Sequence, residues 1–178
     1  ANVMLAYVKL ERLPDDKTWA ALETAAGRVA PDMIPQDLAS TMWGHAKLGK
    51  VPRMHIWAAL ETTLGRLASR LLPQDVANLF WAYATLGWAP GPSTWAALQA
   101  AAVRVARSMT SQDVSTVLWA NARLGGIDTQ TWTALEIAAA RVAPGMTQQQ
   151  AAETLHAYTA MGRKPVNKTW AALETAAR

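Results

Sequence analysis

Thr18-Trp19-Ala20-Ala21-Leu22-Glu23 is the stretch that decides the fold, because the chain returns to it four more times. It comes back as Ile56-Trp57-Ala58-Ala59-Leu60-Glu61, Thr94-Trp95-Ala96-Ala97-Leu98-Gln99, Thr131-Trp132-Thr133-Ala134-Leu135-Glu136 and Thr169-Trp170-Ala171-Ala172-Leu173-Glu174. From Trp19 to Trp57, Trp95, Trp132 and Trp170 the intervals are 38, 38, 37 and 38 residues. A second block interleaves with the first: Met42-Trp43-Gly44-His45-Ala46-Lys47-Leu48-Gly49, Phe80-Trp81-Ala82-Tyr83-Ala84-Thr85-Leu86-Gly87 and Leu118-Trp119-Ala120-Asn121-Ala122-Arg123-Leu124-Gly125. Leu155–Gly162 and a degenerate Met4–Glu11 complete the series. Two interlocked periodic signals over the whole length are the mark of a repeat array.

Each unit reads as two helices. The first starts at Pro35, Pro73, Ser111 and Gln148. Proline suits a first helical turn, where its missing amide hydrogen has no partner to lose. Thr110 with Asp113, and Thr147 with Gln150, have capping-box spacing. Gly49, Gly87, Gly125 and Gly162 supply the left-handed residue that ends the helix, and a short linker containing Pro14, Pro52, Pro92 or Pro165 leads to the second one. At about 100° per residue, Leu38, Ala39, Met42, Trp43 and Ala46 share one face of a first helix, with Asp37, Ser40, Gly44 and Lys47 opposite. On a second helix Trp19, Leu22, Ala25, Ala26 and Val29 share a face, while Glu23, Thr24 and Arg28 face away. One hairpin cannot bury such stripes, and stacked hairpins can. The expected architecture is all-α: an α-solenoid of helix-turn-helix repeats of about 38 residues. The whole chain, 1–178, is one array, with a partial unit 1–34, full units 35–72, 73–110 and 111–147, and a partial unit 148–178. Both ends falling inside a repeat, the array is expected to be a piece of a longer solenoid, and any targeting segment is expected upstream.

Composition narrows the function. With 51% hydrophobic and 17% charged residues, the 178-residue chain carries enough apolar surface for a packed core. Absence of cysteine excludes disulfides, thiolate metal sites and cysteine nucleophiles. No apolar run is long enough for a transmembrane helix, and no membrane partner is expected. His45, His55 and His156 fall in different repeat columns without metal-ligand spacing. There is no phosphate-cradling glycine loop and no nucleophile elbow. The reading is therefore no enzyme, no metal and no cofactor. A net charge of +4 suits a polyanion but is ordinary in size.

Candidate contact residues come from columns that vary while their neighbours repeat. In modular single-strand binders each helical repeat reads about one base with two or three side chains. Asn2, Ser40, Asn78, Thr116 and Glu153 form one such polar column on the first helix, predicted to touch bases. Seven residues on, Lys9, Lys47, Thr85, Arg123 and Ala160 form a column, three of its five members cationic, for phosphates or base edges. Between them Ala6, Gly44, Ala82, Ala120 and Ala157 are small enough for a nucleotide to approach the backbone. A solvated helix face would show the same polar variation. Eight tryptophans occupy two fixed columns and read as packing between repeats. Trp88, alone in a linker, is a possible stacking residue, as are Tyr83 and Tyr158, whose column also fits a hairpin interface. Asp37, Asp75 and Asp113 read as helix-start residues. Arg28, Arg66, Arg104 and Arg141 read as a solvated ladder on the outer side.

These marks, the 38-residue period, Leu-Gly closing the first helix, the proline-bearing linker and the tryptophan after it, resemble the octotricopeptide repeat family over essentially the whole chain. The sequence departs from that pattern where His156 and Leu5 stand in the first-helix tryptophan column and Glu11 replaces the glycine. The resemblance implies a green-algal organellar protein, of chloroplast or mitochondrion, that binds RNA and acts in its stability, processing or translation. The partners it implies are single-stranded or ribosomal RNA, with other proteins of an organellar ribonucleoprotein. The alternative is a protein–protein scaffold, or a structural subunit of an organellar ribosome contacting rRNA.

Overall fold

The computed structural model describes residues 2–177, and these form ten α-helices and no strand. The order is α1 (Asn2–Lys9), α2 (Asp16–Val29), α3 (Pro35–Lys47), α4 (Met54–Leu67), α5 (Pro73–Leu86), α6 (Pro92–Val105), α7 (Ser111–Leu124), α8 (Thr129–Val142), α9 (Gln148–Ala160) and α10 (Asn167–Ala176). A three-residue 3₁₀ turn follows each of α2, α4, α6 and α8. Helix starts follow the sequence signals. Pro35 and Pro73 open α3 and α5, and Thr110 with Asp113 and Thr147 with Gln150 make reciprocal capping boxes at α7 and α9. Asp75 accepts from the Leu72 amide at 2.9 Å and Asp113 from the Thr110 amide at 2.9 Å, so these two of the recurring aspartates are caps. Gly87 ends α5 with φ +64°. Glu11, standing where other units have glycine, is driven to φ +51° all the same, a conformation costly for a residue with a Cβ.

Odd-numbered helices stack on one another in one layer, and even-numbered helices in a second. Helices of the first layer run closer together than those of the second, as suits the inside of a curved stack. The small-residue column is the reason. Gly44, Ala82, Ala120 and Ala157 are buried between neighbouring first helices, and a Cβ on Gly44 would come within 3.2 Å of Met4. This corrects their expected role: they admit a neighbouring helix, not a nucleotide. A continuous core runs from Ala30 to Leu173 through Leu38, Phe80, Leu98, Leu118 and Leu135. Each fully buried leucine of that kind contributes roughly 1.5–3 kcal/mol over an exposed one. Met4, Trp19 and Ala26 form a smaller separate cluster at the first hairpin.

Polar links hold successive hairpins in register, and they overturn the outward placement of Glu23. Glu23 is 3% exposed and takes the Arg53 backbone amide at 2.5 Å and its guanidinium Nε at 2.6 Å. Its counterparts act alike at the start of the next second helix. Glu61 accepts from Gly91 N–H and the Tyr83 hydroxyl, Gln99 from Asp128 N–H, and Glu136 from Val166 N–H and the Tyr158 hydroxyl. The arginine ladder is likewise structural from its second member onward. Arg66, Arg104 and Arg141 donate to carbonyls of the 3₁₀ turn before them: Pro31 and Met33, Ala68 and Leu71, Ala106 and Met109. Hydrogen bonds with one charged partner contribute about 1.5–3 kcal/mol when well made.

Candidate nucleic-acid interface

The face of the first-helix layer away from the second helices carries a continuous polar groove. Its deeper part, 540 Å³, is lined by Lys47, Trp81, Gln112, Thr116, Trp119 and residues of the α9 start, Thr147, Gln149, Gln150 and Glu153. A shallower part of 240 Å³ continues it past Trp43, Gln74 and Asn78, and the two share Lys47, Trp81, Gln112 and Thr116. Helical spacing builds this lining. A glutamine recurs as the second residue of α3, α5, α7 and α9, at Gln36, Gln74, Gln112 and Gln149. Residues four apart lie on one face, so each glutamine shares its face with the variable residue of its unit. Gln112 Nε2 donates to Thr116 Oγ1 at 3.1 Å and Gln149 Nε2 to Glu153 Oε1 at 2.9 Å. Across the helix boundary Gln150 Nε2 donates to Gln112 Oε1 at 3.0 Å.

Cations sit on indoles along the same face. Lys47 Nζ lies 4.7 Å from the Trp81 ring centroid and 5.4 Å from that of Trp43, the two rings being 6.1 Å apart. The Arg123 guanidinium lies 5.2 Å over Trp119 while its Nε reaches the Ala84 carbonyl at 3.4 Å. A cation over an indole gains roughly 0.5–1 kcal/mol at such exposed places. Among the described residues the one ion pair is Arg53–Glu23, so the Lys47 charge stays available to an anion. The groove thus offers half-exposed indoles, amide and hydroxyl groups, a lysine, and two carboxylates, Glu153 and the helix-capping Asp113.

Of the residues expected from sequence, Lys47, Asn78, Thr116 and Glu153 come together in this groove, and Arg123 borders it through Trp119. Ser40 is half-buried on α3 and Thr85 exposed on α5, outside the groove lining. Asn2 and Lys9 are exposed on α1, also away from it. The stacking roles of Tyr83 and Tyr158 are corrected. Both are buried, at 0% and 1% exposure, and spend their hydroxyls on Glu61 and Glu136. Burial and the facing carboxylates push both phenols well above the usual tyrosine range. Their rings pack edge-on against Trp57 and Trp132. Trp88 is half-buried, with its ring packed on Trp57 at 5.2 Å, and stands outside the groove lining.

Sequence reasoning missed two groups. Trp43, Trp81 and Trp119, assigned to packing alone, are only half-buried and line the groove with one edge of the core behind them. The glutamines are constant from unit to unit, so a search for variable polar columns does not reveal them. Their constant place four residues before the variable column was the available signal. Among the described residues no three His, Asp or Glu side chains gather as a metal site, and no helix is long and apolar enough to cross a membrane.

A family model described as the Tbc2 translation factor, N-terminal domain, matches residues 1–163, and the chain belongs to that family. No curated protein matches it.

Proposed function

From membership of a translation-factor domain family, we propose that this chain is an RNA-binding solenoid module serving translation or related post-transcriptional steps in an organelle. Its repeats are octotricopeptide-like in period and in their helix-ending and linker residues. One observation carries the reading: Asn78, Thr116 and Glu153, which differ from unit to unit, line one groove with constant tryptophans and a lysine. Such a surface suits a single strand. Indole faces stack on any base, contributing about 1–3 kcal/mol each, cations meet phosphate, and variable polar groups meet base edges. Activity would follow from occupancy, by shielding the strand, remodelling it or bringing the translation machinery to it. The protein has no catalytic role in this reading.

Titration of the chain with labelled single-stranded RNA at several salt concentrations tests it. Changing Lys47→Glu together with Arg123→Glu is expected to weaken binding at least about tenfold. It should also flatten the salt dependence by about 1.4 in log–log slope, since each phosphate contact on a single strand contributes about 0.7. Unchanged affinity and slope would remove the groove from RNA binding and leave a scaffold for proteins as the better description.

A further inference from the structure

The α7–α9 section of the groove differs chemically from the α5–α7 section beside it. Its amide donors are turned on the protein itself: Gln150 to Gln112, Gln112 to Thr116, and Gln149 to one oxygen of Glu153. Among the described residues no donor reaches the second carboxylate oxygen of Glu153. An ionised carboxylate only accepts, and has room for several donors. At the equivalent places Asn78 and Thr116 are neutral and both donate and accept. The one charged member of the column therefore asks for a donor-rich edge, in a space bounded by Trp81, Trp119 and Lys47.

We infer that this section selects guanine within the bound strand, an inference that rests on the groove being the RNA site. Guanine is the base whose Watson–Crick edge places two N–H donors side by side, N1–H and the N2 amino group, matching the two oxygens of Glu153. Uracil offers a single N3–H between two carbonyl oxygens, which the carboxylate repels. Adenine and cytosine offer an amino group next to a bare ring nitrogen, whose lone pair also faces the carboxylate unfavourably. An indole of Trp81 or Trp119 supplies the stacking surface for the purine. Lys47, across the same hollow, takes the adjoining phosphate, so the anionic strand tolerates the Glu153 carboxylate in its path.

The test uses short oligouridines that carry one central guanine, adenine, cytosine or no replacement, titrated against the chain and against Glu153→Gln. The guanine oligomer is expected to bind about tenfold more tightly than the other three, as a paired donor set discriminates by that order. In Glu153→Gln that advantage disappears, and plain oligouridine, no longer repelled by the carboxylate, binds more tightly than before. Equal affinity for all four oligomers, or a guanine preference that survives in Glu153→Gln, would overturn the inference and leave the RNA reading standing. Failure of every oligomer to bind would overturn the RNA reading itself.

Discussion

The junction between α6 and α8 and the junction between α8 and α10 are built on one plan with different chemistry. In the second, Glu136 is buried at 9% exposure and receives two donors, the Tyr158 hydroxyl and the Val166 amide. In the first, the same position holds Gln99, 5% exposed, which receives only the Asp128 amide at 2.8 Å. There Asn121 stands where the other junction has tyrosine, and its amide nitrogen is already used on the Val117 carbonyl. Asp128 also brings its own carboxylate, which caps α8 through Thr131 at 2.6 Å. A glutamate at 99 would face that carboxylate with one donor fewer. A buried charge is kept here only where protons surround it.

Three perturbations sharpen that contrast. The largest effect is expected from Glu136→Leu, which leaves a buried hydroxyl and an amide unpaired. It should cost about 3 kcal/mol by urea denaturation, at roughly 1–3 kcal/mol for each orphaned donor. Gln99→Leu, with one donor orphaned, should cost about half as much; equal losses would refute the account of the two junctions. Next comes the arginine ladder. Arg104→Ala gives up bonds to the Ala68 and Leu71 carbonyls, the first of them exposed, and should cost about 1.5 kcal/mol, the low end for bonds with one charged partner. Arg28→Ala, at a position with no such bond among the described residues, should fall within about 0.5 kcal/mol of the parent. A similar cost for both would assign the ladder to general surface charge.

The smallest effect concerns His45, which takes the tyrosine place at the first junction. Its ring is buried edge-on against Trp19 at 4.9 Å, Nδ1 is 3.0 Å from the Lys50 carbonyl, and Nε2 has no partner. Burial lowers its pKa, against the opposing pull of the Lys50 carbonyl and Glu23. A group held neutral in the fold but free to protonate when unfolded stabilises above its unfolded value, near 6.5. That contribution is lost as pH falls through this range. Stability should therefore decline between pH 7 and pH 5. His45→Tyr, which recreates the Tyr83 arrangement and offers Glu23 a hydroxyl, should remove the decline. An identical pH profile in this variant would show that other groups set it.

Period and helix boundaries were legible because they depend on local chemistry. Pro35 and Pro73 cannot donate, the Thr110–Asp113 pair caps itself, and Gly87 accepts a positive φ, whatever lies nearby. What stayed hidden depends on the neighbour. At about 100° per residue Glu23 lies only about 40° from Trp19, at the border of the apolar stripe, and an isolated helix gives no sign that Arg53 of the next hairpin arrives there and closes it in. Tyr83 and Tyr158 look like groove residues for the same reason, until the preceding carboxylate claims their hydroxyls. In the groove, variability pointed to Asn78, Thr116 and Glu153. The half-exposure of Trp43, Trp81 and Trp119 follows from how closely α3, α5, α7 and α9 approach, which Gly44, Ala82 and Ala120 control from the other side.

That close approach also sets how the molecule bends. With glycine and alanine letting backbones nearly touch in one layer, and longer side-chain links spanning the other, the neutral axis of flexing lies along the odd-numbered helices. Curvature changes are then expected to stretch and relax the even-numbered side more than the groove floor. A strand lying there would feel a ruler of fixed pitch on a spring that yields behind it.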